Sequence, residues 1–422
     1  MDTRNSLTEW LTYIERQHPQ SIAMGLDRVR EVATRMGLGA PARKTIVVGG
    51  TNGKGSTVAF IEAIARAAGW KVGAYTSPHL LAYNERVRID GRDAADADLV
   101  AAFAAVESAR ADTALTYFEY GTLAALWLFG RAGLDLAVLE VGLGGRLDAV
   151  NLVDADVAVI TTVDIDHTDW LGADREAIGA EKAGIIRGWK PVVLGEIDPP
   201  SSVLARAYLL GANAIRYGSD YFCEPIDGER WRWRDVAVRL ELPMPALRAP
   251  VQLANAGAAI AALRALRVAV PRTAWAEGVA SAGVPGRLQS VRVGEIEVVL
   301  DVGHNPQAAR VLAQWLQERP GAGATHAVYA ALADKDSHAV VQALEAQIDH
   351  WHLAGLGGAR GQDAAALRAR LADTAAAQGV LADDVAQALQ QALARAQAGD
   401  RVLVFGSFHT VAEALQALHS VA

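Results

Sequence analysis

The sequence predicts an α/β protein: a P-loop parallel-sheet domain with a small antiparallel patch, followed by a smaller Rossmann-like α/β domain. Three observations carry this reading. A short β-branched run at 45–48 ends in a glycine-rich turn, then a helical stretch at 56–68 leads to a second strand at 71–75, which is a β-loop-α-β unit. Two near-continuous apolar runs, 134–141 and 156–163, have polar residues just past their ends, as strands buried on both faces of a parallel sheet require. From about Tyr217 to Leu242 the pattern turns to alternation, with Trp231-Arg232-Trp233-Arg234 and then Val236, Val238 and Leu240. That alternation predicts an antiparallel patch appended to the sheet.

Each element has a local cause. Ser6-Leu7-Thr8-Glu9 has the form of a capping box, and Leu7, Trp10, Leu11 and Ile14 follow at helical spacing, so the first element is an amphipathic helix. Gly69 stops the helix at 56–68. The apolar stretch 121–130 is too short to span a bilayer and reads as a buried helix. A helix over 252–266 follows the alternating patch. Gly283-Val284-Pro285-Gly286 breaks both periodicities, which places a domain boundary there and predicts domains 1–284 and 285–422. In the second domain, strands at 297–302, 325–330, 350–353 and 401–405 alternate with helical stretches, and the alanine-rich segment 364–398 reads as two helices.

Composition narrows the function. The 422 residues are 51% hydrophobic and 21% charged, enough apolar side chain for sizeable cores. Lys plus Arg number 40 against 48 Asp plus Glu, a formal charge of -8, which is the wrong sign for a surface that holds nucleic acid or anionic lipid. An anionic ligand therefore needs a local site, and neither nucleic acid nor membrane is an expected partner. The one cysteine, Cys223, forms no intramolecular disulfide. Residues 1–5 carry charge and no apolar core, so a secretory signal is not expected and the expected compartment is the cytoplasm. Without heptads or a large exposed apolar stripe, the expected state is a monomer.

The sharpest local signal is Gly49-Gly50-Thr51-Asn52-Gly53-Lys54-Gly55-Ser56, at the passage from strand to helix. Successive backbone N–H groups there, backed by a helix amino end, cradle phosphate oxygens, and Lys54 would reach the outer phosphates. Gly50 and Gly53 are separated by two residues where the common phosphate-loop pattern has four; the plain alternative is an ordinary glycine turn. A triphosphate brings a divalent cation, which takes oxygen ligands from the rim of the sheet. Glu140, Ser77, and Asp164, Asp166 and His167 all stand just past strand ends, and parallel strands deliver those ends to one rim. Each also has a structural reading: Glu140 could pair with Arg146, His167 could be a hydrogen-bonded structural histidine, and Ser77 before Pro78 could begin a turn. Arg287 at the domain junction could reach a phosphate or make an interdomain salt bridge, with Asp301 and His304 at a strand end facing the same cleft. Lys182, alone, reads as a solvated helix residue. Ala333-Asp334-Lys335-Asp336 has the look of a guanine-reading motif but lies far from the loop and lacks the leading Asn. The histidines show no paired metal-ligand spacing, so a zinc site is unsupported.

Together these residues resemble the folylpolyglutamate synthase family, most closely its bifunctional dihydrofolate synthase/folylpolyglutamate synthase branch, a relative of the Mur ligases. Gly50-Thr51-Asn52-Gly53-Lys54-Gly55-Ser56 is the shortened loop those ligases share. More specific are Thr76-Ser77-Pro78-His79-Leu80, Leu115-Thr116-Tyr117-Phe118-Glu119-Tyr120, the run from Glu140 through Gly142-Leu143-Gly144-Gly145-Arg146 to Asp148, Asp166-His167-Thr168, and Glu181-Lys182-Ala183-Gly184-Ile185. The likeness runs from about Ile22 to His409.

The resemblance implies that Thr51, Asn52, Gly53, Lys54, Gly55 and Ser56 hold ATP phosphates, with Ser77, Glu140 and His167 as Mg2+ ligands and room for a second cation. It makes Lys182 a carbamylated lysine whose carbamate sits beside the magnesium, and Asn255, Arg287 and Asp301 ATP contacts, with His304 beside them. Ala23, Met24, Gly25, Thr116, Tyr117, Phe118, Asp148 and Ala149 line the pterin pocket, Ala23 at a position where relatives can carry an acidic residue. The implied reaction converts the carboxylate of dihydropteroate or a reduced folate to an acyl phosphate, which the amine of L-glutamate attacks. Lys54, Lys182, His167 and Arg287 act on the transferring group, and domain closure excludes water. A Mur-type ligase acting on a cell-wall nucleotide is the nearest competitor, disfavoured by the short stretch before the loop; a non-catalytic nucleotide-binding regulator is the competitor from another class.

Overall fold

The computed structural model describes residues 4–20, 22–247 and 249–421. It divides into two compact units, one of Met1–Ala246 with Gln252–Gly283, the other of Leu247–Val251 with Val284–Ala422.

The larger unit is built on eight strands: β1 (Lys44–Gly49), β2 (Val72–Tyr75), β3 (Val87–Ile89), β4 (Arg92–Asp93), β5 (Leu136–Glu140), β6 (Val157–Ile160), β7 (Pro191–Leu194) and β8 (Asn213–Arg216). They form one sheet in the order β4-β3-β2-β5-β1-β6-β7-β8. From β2 to β8 every pairing is parallel, so Tyr75, Glu140, Gly49 and Ile160 end on one rim. β3 and β4 add an antiparallel edge. Strand β5 is buried at all five positions, which is why it reads as a continuous apolar run.

The opening helix, Leu7–Ile14, carries its capping box: Ser6 Oγ accepts from the Glu9 N–H at 3.3 Å, and Glu9 Oε2 accepts from the Ser6 N–H at 3.1 Å. Its Trp10 and Ile14 are fully buried. The 121–130 stretch lies within the helix Tyr117–Ala132, buried along most of its length. Among the described residues no helix is long and apolar enough to cross a membrane.

The alternating patch forms β9 (Tyr221–Pro225), β10 (Arg230–Asp235) and β11 (Arg239–Pro243), antiparallel in the order β11-β10-β9. It is a sheet of its own rather than an extension of the large one. Cross-strand register sets Trp231 against Leu242 and Trp233 against Leu240 on a buried face. The other face pairs Arg234 with Glu224 at 2.8 Å and Arg232 with Glu241 at 3.4 Å. Trp233 Nε1 donates to the Gly257 carbonyl at 3.1 Å, which ties the small sheet to the helix Gln252–Ala265.

The smaller unit holds β12 (Gln289–Val293), β13 (Ile296–Asp301), β14 (Thr325–Tyr329), β15 (His350–Ala354), β16 (Val380–Ala382) and β17 (Arg401–Phe405), ordered β12-β13-β17-β14-β15-β16. All pairings but β12 with β13 are parallel, with helices Pro306–Glu318, Ser337–Leu344 and Val385–Arg395 between strands, the Rossmann-like pattern. The alanine-rich segment is not simply two helices. Between helices Ala364–Ala369 and Val385–Arg395 it inserts a short 3-10 turn and strand β16, which completes the sheet edge beside β15.

Trp233 is 1% exposed and anchors the small sheet to the helix behind it. Trp233→Ala is expected to lower unfolding free energy by about 3–5 kcal/mol, read as a shifted urea midpoint at unchanged m-value.

Candidate active site

The turn from β1 into the helix Lys54–Ala67 has a shape only glycine fits at two positions. Gly50 has φ +144°, and a Cβ there would lie 1.9 Å from Thr161 Oγ1; Gly53 has φ +87°, and a Cβ would lie 2.5 Å from Asn255 Oδ1. The loop is tied to the chain beyond β6. The Thr51 N–H donates to the Thr162 carbonyl at 2.7 Å, and Thr161 Oγ1 donates to the Asn52 carbonyl at 2.6 Å. Thr51 Oγ1 accepts from the Asp164 N–H at 3.0 Å, and the Asn52 N–H donates to Thr162 Oγ1 at 3.2 Å. Lys54 Nζ folds back over the loop, donating to the Gly50 and Thr51 carbonyls at 3.1 Å each. Gly53 caps the helix without a side-chain acceptor, so its first-turn N–H groups point out at the rim. Positive dipole, N–H donors and an ammonium converge there, the requirements for phosphate.

Glu140 ends β5, 4% exposed. Its Oε2 lies 3.6 Å from where a Gly55 Cβ would stand and accepts from the Ser77 N–H at 3.3 Å. Glu140 and Ser77 therefore meet at the phosphate loop, and an oxygen-rich pair at a helix amino end suits a hard divalent cation that completes its shell with phosphate and water. Arg146 is not Glu140's partner: it pairs with Glu181 at 2.8 Å. His167 stands beyond β6 at the amino end of the short helix Thr168–Leu171, in left-handed backbone at φ +54°, its N–H bonded to Asp166 Oδ1 at 2.8 Å.

Lys182 is not solvated. It ends the helix Arg175–Lys182 at 4% exposure, and burial first, then the Lys54 ammonium, pulls its amine down to about 7, with the Asp166 and Asp148 carboxylates opposing. That shift places Lys182 in the field of the phosphate loop. Small residues make the approach possible: a Cβ at Gly145 would press on the Glu181 and Lys182 backbone at 2.9–3.1 Å, and one at Gly184 would lie 2.4 Å from Arg146 Cα. Asp148 folds the same segment. Its carboxylate accepts from the Gly142, Leu143 and Val150 N–H groups at 2.9–3.0 Å, and burial raises its pKa to about 6 against those bonds and Lys54.

Of the residues assigned to the pterin pocket, Met24, Gly25 and Phe118 pack on this segment, and Asp148 and Ala149 belong to it. Gly142 lies against Phe118, so close that a Cβ on it would stand 2.7 Å from the ring edge. Met24 Cε is 3.6 Å from the Gly144 Cβ position, and the Gly25 N–H donates to the Leu147 carbonyl at 3.4 Å. Thr116 caps the helix Tyr117–Ala132 in a capping box with Glu119. Arg28 clamps the two parts, pairing with Glu119 at 2.8 Å and donating to the Ala23 carbonyl. Tyr117 meets Tyr83 edge to face at 5.8 Å, with the Arg86 guanidinium over both rings. Ala149 begins the 3-10 turn that Asp148 caps.

Asn255 reaches the loop from the helix Gln252–Ala265: it bonds Gln252 at 3.0 Å, and Gln252 Nε2 donates to Ser56 Oγ at 3.3 Å. Within the smaller unit, Asp301 accepts from the Leu288 and Gly303 N–H groups at 2.9 and 2.8 Å. Burial raises its pKa, while Arg287 and His304 nearby oppose that. The Arg287 guanidinium lies 5.3 Å over the Phe408 ring, and His304 Nδ1 faces the Val302 carbonyl at 3.0 Å. In the look-alike motif, Asp334 pairs with Arg360 and Asp336 caps the helix Ser337–Leu344, both structural tasks.

Sequence reasoning passes over Thr161, Thr162, Gln252 and Arg28. The threonines carry a signal, polar residues at the end of an apolar strand; Gln252 and Arg28 act through partners 196 and 91 residues away. The histidines are less dispersed than their spacing implies: strand register brings His326 within 4.7 Å of His350 and 5.8 Å of His352. Among the described residues no group of three His, Cys, Asp or Glu is arranged to hold a metal by itself.

Residues 48–222 match the Mur ligase middle domain, and residues 286–408 match the Mur ligase glutamate ligase domain. The dihydrofolate synthase/folylpolyglutamate synthase of Escherichia coli (strain K12) is 47% identical over 98% of this chain and 95% of its own. The solved structure of E. coli FolC in complex with DHPP and ADP superposes with a TM-score of 0.94 at 45% identity, covering 100% of this chain and 99% of that one. A bifunctional folylpolyglutamate synthase/dihydrofolate synthase solved with Mn, AMPPNP and L-glutamate bound gives a TM-score of 0.92 at 44% identity over 99% of both chains. By this identity and these domain matches, the chain belongs to the dihydrofolate synthase/folylpolyglutamate synthase family of Mur-type ligases.

Proposed function

We propose that this chain is an ATP-dependent amide ligase that activates the carboxylate of dihydropteroate, and of reduced folates, and joins it to L-glutamate. One observation carries the reading: the segment from Glu140 to Ala149 touches the phosphate loop at one end and the Met24 and Phe118 cluster at the other. A flat aromatic acid held by that cluster has its carboxylate led toward the outer phosphates of a nucleotide on the loop. The carboxylate oxygen attacks the γ-phosphorus and ADP leaves. The glutamate amine then attacks the acyl carbon, releasing phosphate and a proton. Positioning and charge neutralisation supply the rate.

Lys54 and the helix amino end bind the phosphates. Ser77, Glu140 and His167 would hold Mg2+, which when bound neutralises charge on the transferring phosphoryl group. Arg287 and Asp301 are proposed nucleotide contacts, held near each other in the smaller unit, and His304 lies beside them. Thr116 and Asp148 serve the pocket by shaping it, since their described bonds are to capping and loop groups. Lys182 has the setting for carbamylation: a buried amine lowered to about 7 is largely neutral above that pH and adds to carbon dioxide with loss of a proton, which replaces a cation that repels Lys54 by an anion that attracts it.

ADP release measured with dihydropteroate and L-glutamate, each omitted in turn, tests the activity; the full rate is expected only with both, and release indifferent to either would sink the ligase reading. Lys54→Ala is expected to cut kcat by about 10³-fold with a circular dichroism spectrum matching the parent. Glu140→Gln is expected to move the half-saturating magnesium concentration up by about tenfold or more; a superimposable titration would return Glu140 to a structural role. For Lys182 the unfolded chain holds its proton up to the ordinary lysine value while the folded chain loses it near 7. In carbon-dioxide-free buffer, stability is thus expected to rise as pH increases above 7, by up to about 1.4 kcal/mol per pH unit. Lys182→Met should flatten that rise in urea titrations at pH 7 and 9, and a 13C-bicarbonate carbamate resonance should be absent from the variant.

A further inference from the structure

A concave pocket of about 520 Å³ opens in the larger unit between β11 and the segment that joins the helices Gln252–Ala265 and Arg272–Ser281. Four arginines line it, Arg239, Arg264, Arg267 and Arg272, together with apolar residues that include Leu240 and Trp275. The acids that face them are few. Asp235 takes Arg264 at 2.8 Å, and Glu241 lies 3.5 Å from Arg239 while also bonding Arg232. Arg267 and Arg272 have no carboxylate within ion-pair distance among the described residues. In a chain of net charge -8, this is a local surplus of two guanidinium groups on a concave surface.

The two unpaired arginines stand at opposite helix ends. Arg267 follows the carboxyl end of the helix Gln252–Ala265 in left-handed backbone, φ +55°, a conformation that glycine or asparagine takes with less strain. Arg272 stands at the first position of the next helix, where the dipole disfavours a cation. Pro271 caps that helix without a side-chain acceptor, so an anion in the pocket would meet both guanidinium groups and the helix's amino end.

We propose that this pocket binds a small polyanion through closely spaced carboxylate or phosphate oxygens, with Arg267 and Arg272 as its principal contacts. The guanidinium fork matches either oxyanion in bidentate fashion. The site is separate from the phosphate loop and does not depend on the ligase assignment. Its residues are Val238 and members of β11 and of the segment 264–275, none of which serves the catalytic machinery.

Isothermal titration of the full chain with γ-linked triglutamate and, separately, pyrophosphate tests this, with saturating magnesium and AMPPNP present to fill the phosphate loop. At least one probe is expected to bind saturably, to weaken as sodium chloride rises, and to lose about tenfold or more in affinity in R267Q/R272Q. Triglutamate alone would identify a polycarboxylate site, and pyrophosphate alone or both probes a general oxyanion site. R267G separates ligand binding from folding: it is expected to hold or raise the melting midpoint by relieving the backbone while weakening the probe. Equal binding by parent and R267Q/R272Q, unchanged binding by R267G, or no saturation by about 10 mM of either probe would overturn the proposal.

Discussion

The active-site end of the larger unit depends on how closely the turn after β1 packs against the chain leaving β6. A methyl group at Gly50 would stand 1.9 Å from Thr161 Oγ1, so the two segments approach to a distance at which only hydrogen bonding between backbone and hydroxyl is possible. Thr161 and Thr162 supply those bonds to Gly49 and Asn52. This fixes the direction of the helix Lys54–Ala67 and of Lys54, which closes over the loop. Parallel pairing of β1 with β5 and β6 is what brings Glu140 and the threonines to the two sides of the same turn. The phosphate cradle follows from the register of the sheet.

Charge is arranged around that turn with opposing signs close together. Lys54 and Lys182 repel, Asp148 and Asp166 attract Lys182, and burial disfavours the charged forms of Lys182 and Asp148. A buried ammonium beside another cation is expensive unless something neutralises it, and burial with Lys54 beside it holds the Lys182 amine below the usual lysine range. The net charge of -8 thus says little about the site. The local field is set by two lysines, the carboxylates of Glu140, Asp148 and Asp166, and a helix amino end.

Much of this is legible in the sequence, and the division between what is and is not has a physical basis. Strands β1, β5 and β6 are buried on both faces, so their burial is written into consecutive apolar residues. The glycines and Lys54 declare a turn at a strand-to-helix junction, and Glu140 declares itself by following a run of apolar residues. Strand β16 has no such signal: its three residues run from exposed to buried inside an alanine-rich stretch, and pairing with β15 rather than local preference makes it a strand. The separate antiparallel sheet is legible as alternation, yet its detachment from the large sheet is not, because alternation encodes which face is buried and not what lies beside the edge. Lys182 in isolation misleads for the same reason. A lysine at the end of an amphipathic helix is usually solvated, and only the close packing allowed by Gly145 and Gly184 buries this one.

The segment from Glu140 to Ala149 shows why ATP and acceptor chemistry are linked here through backbone rather than through side chains. Asp148 gathers three N–H groups from Gly142, Leu143 and Val150, a tight fold that positions Gly142 against Phe118 and Gly144 near Met24. At its other end Glu140 is locked between Ser77 and Gly55. A shift of this segment would move the Phe118 and Met24 contacts and the Glu140 carboxylate together, so the separation of the proposed acceptor pocket and the proposed cation ligand is held constant by one short covalent path. Side chains on separate loops could drift independently, and a drift on the order of 1 Å is enough to slow a phosphoryl transfer by about 10²-fold. Glycines along the path serve that constraint: a Cβ at Gly142 or Gly145 would push the segment away from the elements that align it.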